Sequence, residues 1–364
     1  MDAGRAPAVA VVGAGAWGTT LASIVARREP VLLLTQSSSI ADEIARTRRN
    51  ERRLPGIDLP EGIVVGADPA AVASARDLVI FASPSSHMRS TVERVAPYLA
   101  GSADLLSVAK GLEPGSLLRM SEVIAEAAGV PAGRIAALSG PNLADEIARG
   151  LPASAVVAAE DLELASRVAE RLGRREFRLY VNPDILGVEL CGALKNIVAI
   201  AAGAADGLGF GDNGKAGLMT RGLAEMMRLG IAAGANPLTF AGLAGLGDIV
   251  ATCGSSLSRN HRLGEELARG RSWADIEATL PGTAEGAYTV DSALALADRL
   301  GVEMPIAHEV HEALFEGKSV QRCLVDLLAR ESKDELAAFA SWIETASGGG
   351  AGGGRPDHAE SSSS

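Results

Sequence analysis

Short apolar runs of strand length recur through the first half of this chain, and they restrict its fold more than any other feature. The runs lie at residues 9–12, 31–34, 63–65, 78–82, 105–109 and 135–138, with two further candidates at 155–158 and 177–181. Ala- and Leu-rich segments of helical length separate several of them. That alternation predicts βαβ units around a parallel sheet that is buried on both faces. We therefore expect an α/β fold with a doubly wound sheet.

The second half of the chain has a different pattern. The strand signals stop at Pro183, and long stretches rich in Ala, Leu, Ile and Met follow, interrupted by Gly-rich turns at residues 207–214 and 242–247. Such stretches predict helices. The predicted boundaries are residues 1–183 for the α/β domain, 184–345 for an all-helical domain and 346–364 for a disordered tail rich in Gly and Ser.

Composition and charge exclude several classes of protein. With 364 residues and 47% hydrophobic content, the chain can bury one large core or two ordinary ones, and two domains are favoured. Its 45 acidic and 34 basic side chains give a net charge of −11, which argues against nucleic-acid binding because that needs a broad basic surface. A small phosphorylated ligand needs only a few local cations and stays compatible with this charge.

No sequence feature indicates export or a membrane span. The N-terminus lacks a charged segment followed by an apolar one, and no uninterrupted apolar stretch has the length of a span. Cys191, Cys253 and Cys323 are widely spaced and lack paired metal-ligand spacing. We therefore expect a cytoplasmic protein with reduced thiols, no membrane insertion and no metal.

A glycine-rich segment directly follows the first apolar run. Gly13-Ala14-Gly15-Ala16-Trp17-Gly18 lies between a strand-like run and the helix-like residues 19–26. There the first Gly allows a tight turn, the second lets backbone approach a pyrophosphate, and the third allows close helix packing. A Gly-rich turn without a ligand is the alternative, but the flanking strand and helix favour a Rossmann-like dinucleotide site.

The second strand is followed by residues that leave the type of dinucleotide open. An NAD enzyme often has Asp or Glu there, whereas this chain has Thr35-Gln36-Ser37-Ser38, which would not repel a 2′-phosphate. Five downstream arginines offer a cation, although a run of charges more often forms a solvated surface. They are Arg46, Arg48, Arg49, Arg52 and Arg53. The sequence thus allows NADP or NAD.

Polar groups also follow two later strands, at the edge where open α/β sheets bind ligands. Lys110 ends one apolar run, and Ser139-Gly140-Pro141-Asn142 follows the next. We expect both segments near one crevice; the alternative for the second segment is a loop into the helix-like residues 144–148.

Two charged residues of the second half suit carbonyl chemistry. Hydride transfer to a ketone needs a proton donor at the new alkoxide, and Lys195, inside a nearly apolar stretch, serves if burial lowers its pKa from about 10.4. Asp248 lies in a Gly-rich turn, where an aspartate is usually a helix cap. Ser258-Arg259-Asn260 suits a phosphate dianion or, about equally, a helix start capped by Ser258.

The order of these segments closely resembles the bacterial type of NAD(P)-dependent glycerol-3-phosphate dehydrogenase, over roughly residues 8–335. The runs at 188–196 and 240–253 are more specific to that family than the glycine loop is. The resemblance implies interconversion of sn-glycerol 3-phosphate and dihydroxyacetone phosphate with NADP or NAD. The reaction would supply glycerol 3-phosphate for phospholipid synthesis. It also implies a Rossmann-like domain followed by a helical substrate domain.

The resemblance assigns site residues position by position. It implies that Lys195 is the general acid/base and that Asp248 holds or polarises it. The implied substrate-binding residues are Lys110, Gly140, Asn142, Lys195, Asp248, Ser258, Arg259 and Asn260. The implied cofactor-binding residues are Gly13, Gly15, Ala16, Trp17, Gly18, Gln36, Lys110, Ala144, Arg259, Thr283 and Glu285.

The chain departs from the family pattern at two places, and the sequence leaves two alternative functions open. Asn142 replaces the usual Ser or Thr, and Gln36-Ser37 replaces a frequent basic pair, which removes charge expected near a 2′-phosphate. One alternative function is a related dehydrogenase acting on a hydroxy acid or hydroxyacyl thioester. The other is a nucleotide-sensing regulator without turnover. The sequence leaves a homodimer open.

Overall fold

An eight-stranded sheet forms the first half of the chain in the computed structural model, which describes residues 6–280 and 282–330. Strands form at all eight predicted apolar runs, which confirms the doubly wound α/β domain. The ten strands, two of them in a separate hairpin, are β1 (Val9–Val12), β2 (Val31–Leu34), β3 (Arg49–Asn50), β4 (Leu54–Asp58), β5 (Ile63–Gly66), β6 (Leu78–Phe81), β7 (Asp104–Ser107), β8 (Ile135–Ser139), β9 (Ala153–Ala158) and β10 (Phe177–Asn182). The sheet order is β10-β9-β8-β7-β6-β1-β2-β5.

Helices cover both faces of this sheet. They are α1 (Ala16–Ala26), α2 (Ser38–Thr47), α3 (Met88–Val95), α4 (Met120–Ala128), α5 (Ala144–Ala148) and α6 (Leu162–Leu172). Because side chains alternate along a strand, Val9 and Val11 join the core with α1 and α6, whereas Ala10 and Val12 join the core with α3 and α4. Both faces of β1 are thus buried, as its apolar run predicted.

The sheet is mixed rather than wholly parallel, because one pair of strands near its edge is antiparallel. Strand β9 runs antiparallel to β8, and β10 then runs parallel to β9. The connection from β8 contains only the five-residue helix α5, which packs against α1 near the carboxyl ends of the strands. The chain therefore turns back at that edge instead of crossing to the other end of the sheet, as a parallel return requires.

The hairpin of β3 and β4 had no sequence signal. These strands pair antiparallel with an irregular register. Pro55 and Gly56 lie within β4, and charged side chains surround it, so the segment lacks the apolar alternation that identifies a strand.

The described residues after β10 form helices, as predicted. They are α7 (Ile185–Gly207), α8 (Gly211–Ala232), α9 (Pro237–Ala241), α10 (Asp248–Gly254), α11 (Arg259–Ala268), α12 (Trp273–Glu277), α13 (Glu285–Leu300), α14 (Pro305–Phe315) and α15 (Val320–Leu328). A π-helical turn, Leu243–Gly247, leads into α10. The described residues up to Ala329 form one compact unit, so the boundary at 183/184 stays a prediction, and the tail lies outside the described residues.

Helix α7 is the centre of the helical half. By length and composition this 23-residue helix could cross a membrane, but 89% of its most apolar window is buried inside the protein. A Cβ on Gly203 or Gly264 would overlap backbone of the facing helix, so these glycines let α7 and α11 approach closely. The apolar character of α7 is therefore that of a core helix.

Candidate active site

The glycine loop between β1 and α1 uses its three glycines differently. Gly13 has a φ of 116°, and a Cβ there would lie 2.7 Å from the carbonyl oxygen of Ala82. A Cβ on Gly18 would overlap the carbonyl oxygen of Gly13, so this glycine lets α1 pack on the turn. Around Gly15, a Cβ would meet no atom of the described residues within 4 Å. The loop is thus tightly packed on its protein side and open at Gly15.

The N-terminus of α1 also suits a dinucleotide. Gly15 is the N-cap residue, and no side chain of the described residues caps the helix there. The first amides of α1 are therefore available to an anion, which the helix dipole favours. Ala16 and Trp17 begin this helix, and Trp17 packs edge-on against Phe177 with ring centroids 6.0 Å apart. The residues present fit a pyrophosphate.

Two lysines and an aspartate from three separate segments meet at the carboxyl end of β7. Asp248 Oδ2 lies 2.5 Å from Lys110 Nζ, and Asp248 Oδ1 lies 3.1 Å from Lys195 Nζ. Lys110 also donates to the carbonyl oxygen of Gly140 at 2.8 Å. The side chains of Lys195 and Asp248 are only 7% and 2% exposed. We call Lys110, Asp248 and Lys195 the lysine–aspartate centre.

Local structure explains how the three residues meet. Lys110 follows β7, Lys195 lies in the middle of α7, and Asp248 is the first residue of α10. A Cβ on Gly192, about one turn before Lys195, would lie 2.7 Å from Ser139 Oγ and 3.3 Å from Lys110 Cγ. The missing side chain lets α7 approach the carboxyl edge of the sheet.

Thr252 belongs to the same centre, although its place in the sequence indicated no role. Its hydroxyl accepts a hydrogen bond from Lys195 Nζ at 2.6 Å and donates one to Asp248 Oδ1 at 3.0 Å. Thr252 follows Asp248 by four residues, which places both on one face of α10. A helix predicted from Asp248 onward would have placed Thr252 beside Asp248.

The protonation equilibria of the centre are shifted. Burial lowers the pKa of Lys195 to about 8, aided by the charge of Lys110 and opposed by Asp248. Burial alone would raise the pKa of Asp248, but the charges and hydrogen bonds of Lys110 and Lys195 outweigh it and lower that pKa. A buried amine with a pKa near neutrality can exchange protons with a bound substrate.

The predicted phosphate-binding triplet starts α11. Ser258 is its N-cap residue, because Ser258 Oγ accepts from the His261 amide at 3.2 Å, as the helix-start interpretation expected. Asn260 donates to Asn196 Oδ1 at 2.9 Å and accepts from the Gly286 amide at 2.9 Å. Asn260 therefore ties α11 to α7, next to Lys195, and to α13.

Arg259 and Glu285 lie beside this triplet. A Cβ on Gly282 would lie 2.6 Å from Arg259 Nη1, so the guanidinium packs on that backbone. Arg259 has no hydrogen-bond or ion-pair partner in the described part of the chain. Glu285 accepts a hydrogen bond from Ser85 Oγ across the two halves, and burial raises its pKa.

The remaining predicted positions differ in their surroundings. Both polar atoms of the Asn142 side chain are buried without a partner among the described residues, so they are available to a ligand. Gln36 is exposed after β2, while Ala144 starts α5 and Thr283 precedes α13. Over residues 6–280 and 282–330, no cluster of His, Cys, Asp or Glu side chains could hold a metal ion.

An open glycine loop on a doubly wound sheet, beside a buried lysine of lowered pKa on a helical half, defines the class of nicotinamide-dependent dehydrogenases. The family described as NAD-dependent glycerol-3-phosphate dehydrogenase matches with its N-terminal part over residues 8–165 and with its C-terminal part over residues 184–325. This chain belongs to that family, which confirms the resemblance read from its motifs.

Individual relatives agree with this assignment. The chain is 45% identical over 330 residues to glycerol-3-phosphate dehydrogenase (NAD(P)+) of Prosthecochloris aestuarii, covering 90% of this chain and 99% of the relative. It is 46% identical over 327 residues to the enzyme of that name from Streptomyces avermitilis, covering 90% and 97%. The crystal structure of glycerol-3-phosphate dehydrogenase from Coxiella burnetii is similar with a TM-score of 0.83 at 39% identity, covering 88% and 98%.

Proposed function

We propose that this chain interconverts sn-glycerol 3-phosphate and dihydroxyacetone phosphate with NAD or NADP, and so supplies glycerol 3-phosphate for phospholipid synthesis. The lysine–aspartate centre carries this proposal, because it holds an amine with a pKa lowered to about 8 at the ligand-binding edge of a dinucleotide-type sheet. The names of the relatives support the substrate pair.

Lys195 is the proton donor and acceptor of the proposed reaction. In the reductive direction its ammonium group gives a proton to the carbonyl oxygen on C2 as that oxygen becomes an alkoxide, and in the oxidative direction its neutral amine removes the hydroxyl proton. Asp248 and Thr252 hold Lys195 Nζ in place. Lys110, fixed by Asp248 and Gly140, adds a second cation that stabilises negative charge developing on that oxygen.

Substrate and cofactor take neighbouring positions. Arg259, which has no ion-pair partner among the described residues, is proposed to contact both the substrate phosphate and the cofactor, with the cap Ser258 and Asn260 beside it. Gly140 and the unpartnered Asn142 amide contact the rest of the substrate. The proposed cofactor residues are Gly13, Gly15, Ala16, Trp17, Gly18, Gln36, Lys110, Ala144, Arg259, Thr283 and Glu285. When bound, the nicotinamide supplies or accepts the hydride.

A direct assay tests the proposal. Purified protein is mixed with NADH or NADPH and dihydroxyacetone phosphate, and the loss of reduced-cofactor absorbance is followed. Dihydroxyacetone without phosphate is the control, and it should react far more slowly because the phosphate contacts are missing. Cofactor binding without turnover would instead identify a nucleotide sensor, and turnover of a hydroxy acid alone would identify a different dehydrogenase.

The lowered pKa of Lys195 predicts opposite pH profiles for the two directions. Oxidation of glycerol 3-phosphate needs the neutral amine, so kcat/KM should rise with pH and level off above about 8. Reduction of dihydroxyacetone phosphate needs the ammonium form, so its kcat/KM should fall above about 8. Initial rates at saturating cofactor between pH 6 and 10 check this. Parallel profiles in both directions would contradict the role of Lys195.

Both cofactors should work in this enzyme. The exposed Gln36 leaves no carboxylate to repel NADPH, but neutral hydrogen bonds to a 2′-phosphate contribute about half as much as charge-assisted ones. Arg48 already donates to two backbone carbonyls, and Arg49 pairs with Asp58 at 2.6 Å. We expect kcat/KM for NADH and NADPH to lie within about a hundredfold on one preparation. A larger preference for NADH would contradict the permissive interpretation.

The setting of the enzyme belongs to the same proposal. We infer a cytoplasmic enzyme that acts on a small phosphorylated substrate, binds no nucleic acid, does not insert into membranes and divides near residues 183 and 184. The acidic net charge of −11 and the buried position of α7 support this. Light scattering of the purified protein tests whether it is a homodimer.

A further inference from the structure

The β3–β4 hairpin touches the glycine loop through one buried side chain. Asn50 Nδ2 donates to the carbonyl oxygen of Ala14 at 2.9 Å and to Thr19 Oγ1 at 2.8 Å. Ala14 lies inside the loop and Thr19 in the first turn of α1, so one amide group holds both ends of the turn. Asn50 is only 4% exposed, and both N–H groups of its amide are used.

This contact determines how the loop presents its backbone. The carbonyl of Ala14 and the amide of Gly15 belong to one planar trans peptide, in which C=O and N–H point in opposite directions. With the carbonyl bonded to Asn50, the Gly15 amide points away from the Asn50 side chain. Gly15 is the open position of the loop, so the hydrogen bond from Asn50 orients an amide for an anion before the anion arrives.

One arginine of the same hairpin makes no side-chain contact of this kind within the described residues. Arg48, which caps the end of α2 just before the hairpin, donates to the carbonyls of Pro60 and Ile63. Arg49 pairs with Asp58, and Arg52 Nη2 lies 3.4 Å from Glu43 Oε2. The Arg53 side chain has no hydrogen-bond or ion-pair partner in the described part of the chain. Its backbone amide donates to the Asn50 carbonyl at 3.1 Å, so the turn that places Asn50 also places Arg53.

The charge of Arg53 acts on Arg259. Partial burial lowers the pKa of Arg259, Glu285 raises it, and the charge of Arg53 lowers it again. One guanidinium comes from the α/β half and the other from the helical half. In a chain with a net charge of −11, two cations that influence each other and have no ion-pair partner among the described residues suit a ligand with more than one phosphate.

We propose that the β3–β4 hairpin is part of the cofactor site, an inference that rests on the dinucleotide function proposed above. Asn50 is a positioning residue that orients the Gly15 amide, and Arg53 binds the dinucleotide pyrophosphate together with Arg259. Since NADH and NADPH share the pyrophosphate, the hairpin contributes equally to the affinity for both cofactors and does not contact the 2′-phosphate.

Calorimetric titration with NADH and NADPH tests the Arg53 contact. Arg53→Gln should raise Kd about tenfold for both cofactors, because a charge-assisted contact is lost, while Arg53→Lys keeps most of the affinity. The matched control is Arg52→Gln, which removes the same charge at the preceding residue. The Arg52 side chain is 70% exposed, so this change should alter Kd less than twofold. Equal effects at the two positions would overturn the assignment, and an effect on NADPH alone would move Arg53 to the 2′-phosphate.

Two further variants test the positioning role. Asn50→Ala should raise both Kd values about tenfold and leave the KM for dihydroxyacetone phosphate unchanged at saturating cofactor. Thr19→Val keeps the volume, removes one acceptor and should give a smaller effect in the same direction, which serves if Asn50→Ala does not fold. A lower Tm with unchanged Kd values in both variants would make Asn50 merely structural and overturn the proposal.

These titrations need no turnover. A wild-type protein that binds dinucleotides but does not reduce dihydroxyacetone phosphate would refute the proposed substrate and leave the hairpin inference standing. A wild-type protein that binds neither dinucleotide would refute both.

Discussion

Replacing Lys195 with alanine is expected to lower kcat by roughly a hundred- to ten-thousand-fold in both directions. The variant loses the group that exchanges a proton with the C2 oxygen, whereas Asp248, Lys110 and the glycine loop remain. Cofactor affinity should therefore stay close to that of the wild type. Steady-state rates in both directions, with calorimetric Kd values for the cofactor, measure the two effects separately.

Two controls separate proton transfer from charge. Lys195→Arg keeps the positive charge but does not lose its proton near neutral pH, so it should be nearly as slow as the alanine variant. Added methylamine should restore part of the activity to Lys195→Ala and none to Lys195→Arg, because only alanine leaves space for a small amine. Near-normal kcat in Lys195→Ala would remove this residue from the mechanism.

The sheet was predictable because its strands are buried on both faces. A strand such as Val9–Val12 has no exposed residue, so it reads as an uninterrupted apolar run whatever its neighbours are. The direction of β9 depends on where the chain turns after α5, and no local pattern records that choice. Apart from the buried Asn50 and Leu54, the strands of the β3–β4 hairpin are exposed or half-buried, so they contain Pro, Gly and charged residues where a core strand has apolar ones.

The site was predictable as segments and not as an arrangement. Lys110, Lys195 and Asp248 were each identified from position or resemblance, yet their convergence on one carboxylate is a tertiary contact across 138 residues. Thr252 was missed because its role depends on the helical register that starts at Asp248. Asn50 was missed because a single asparagine in a charged segment carries no signal until its two acceptors are known.

Neutralising Asp248 should damage both stability and activity, because this carboxylate is the shared partner of two poorly exposed lysines. In Asp248→Asn, Lys110 and Lys195 face each other without an anion between them, and breaking a buried pair in this way typically costs about 3–5 kcal/mol of unfolding free energy. Removing Asp248 also removes the influence that raises the pKa of Lys195, so this pKa should fall below about 8 and the ammonium form that reduction needs should become scarce at neutral pH. The exposed Asp298→Asn, with the same change of charge, is the matched control.

The loss of stability in Asp248→Asn should depend on pH with a defined sign. A lysine whose folded pKa lies below its unfolded value binds more protons in the unfolded state between the two values, so the free energy of unfolding rises with pH across that interval. For the wild type the interval runs from about 8 to the ordinary value of 10.5, and in the variant it begins lower. Urea unfolding at pH 7 and pH 10 should therefore show the gap between Asp248→Asn and wild type narrowing as pH rises. If the difference in unfolding free energy between Asp248→Asn and wild type is constant with pH, the titration of Lys195 does not contribute to the lost stability, and Asp248 acts through packing alone.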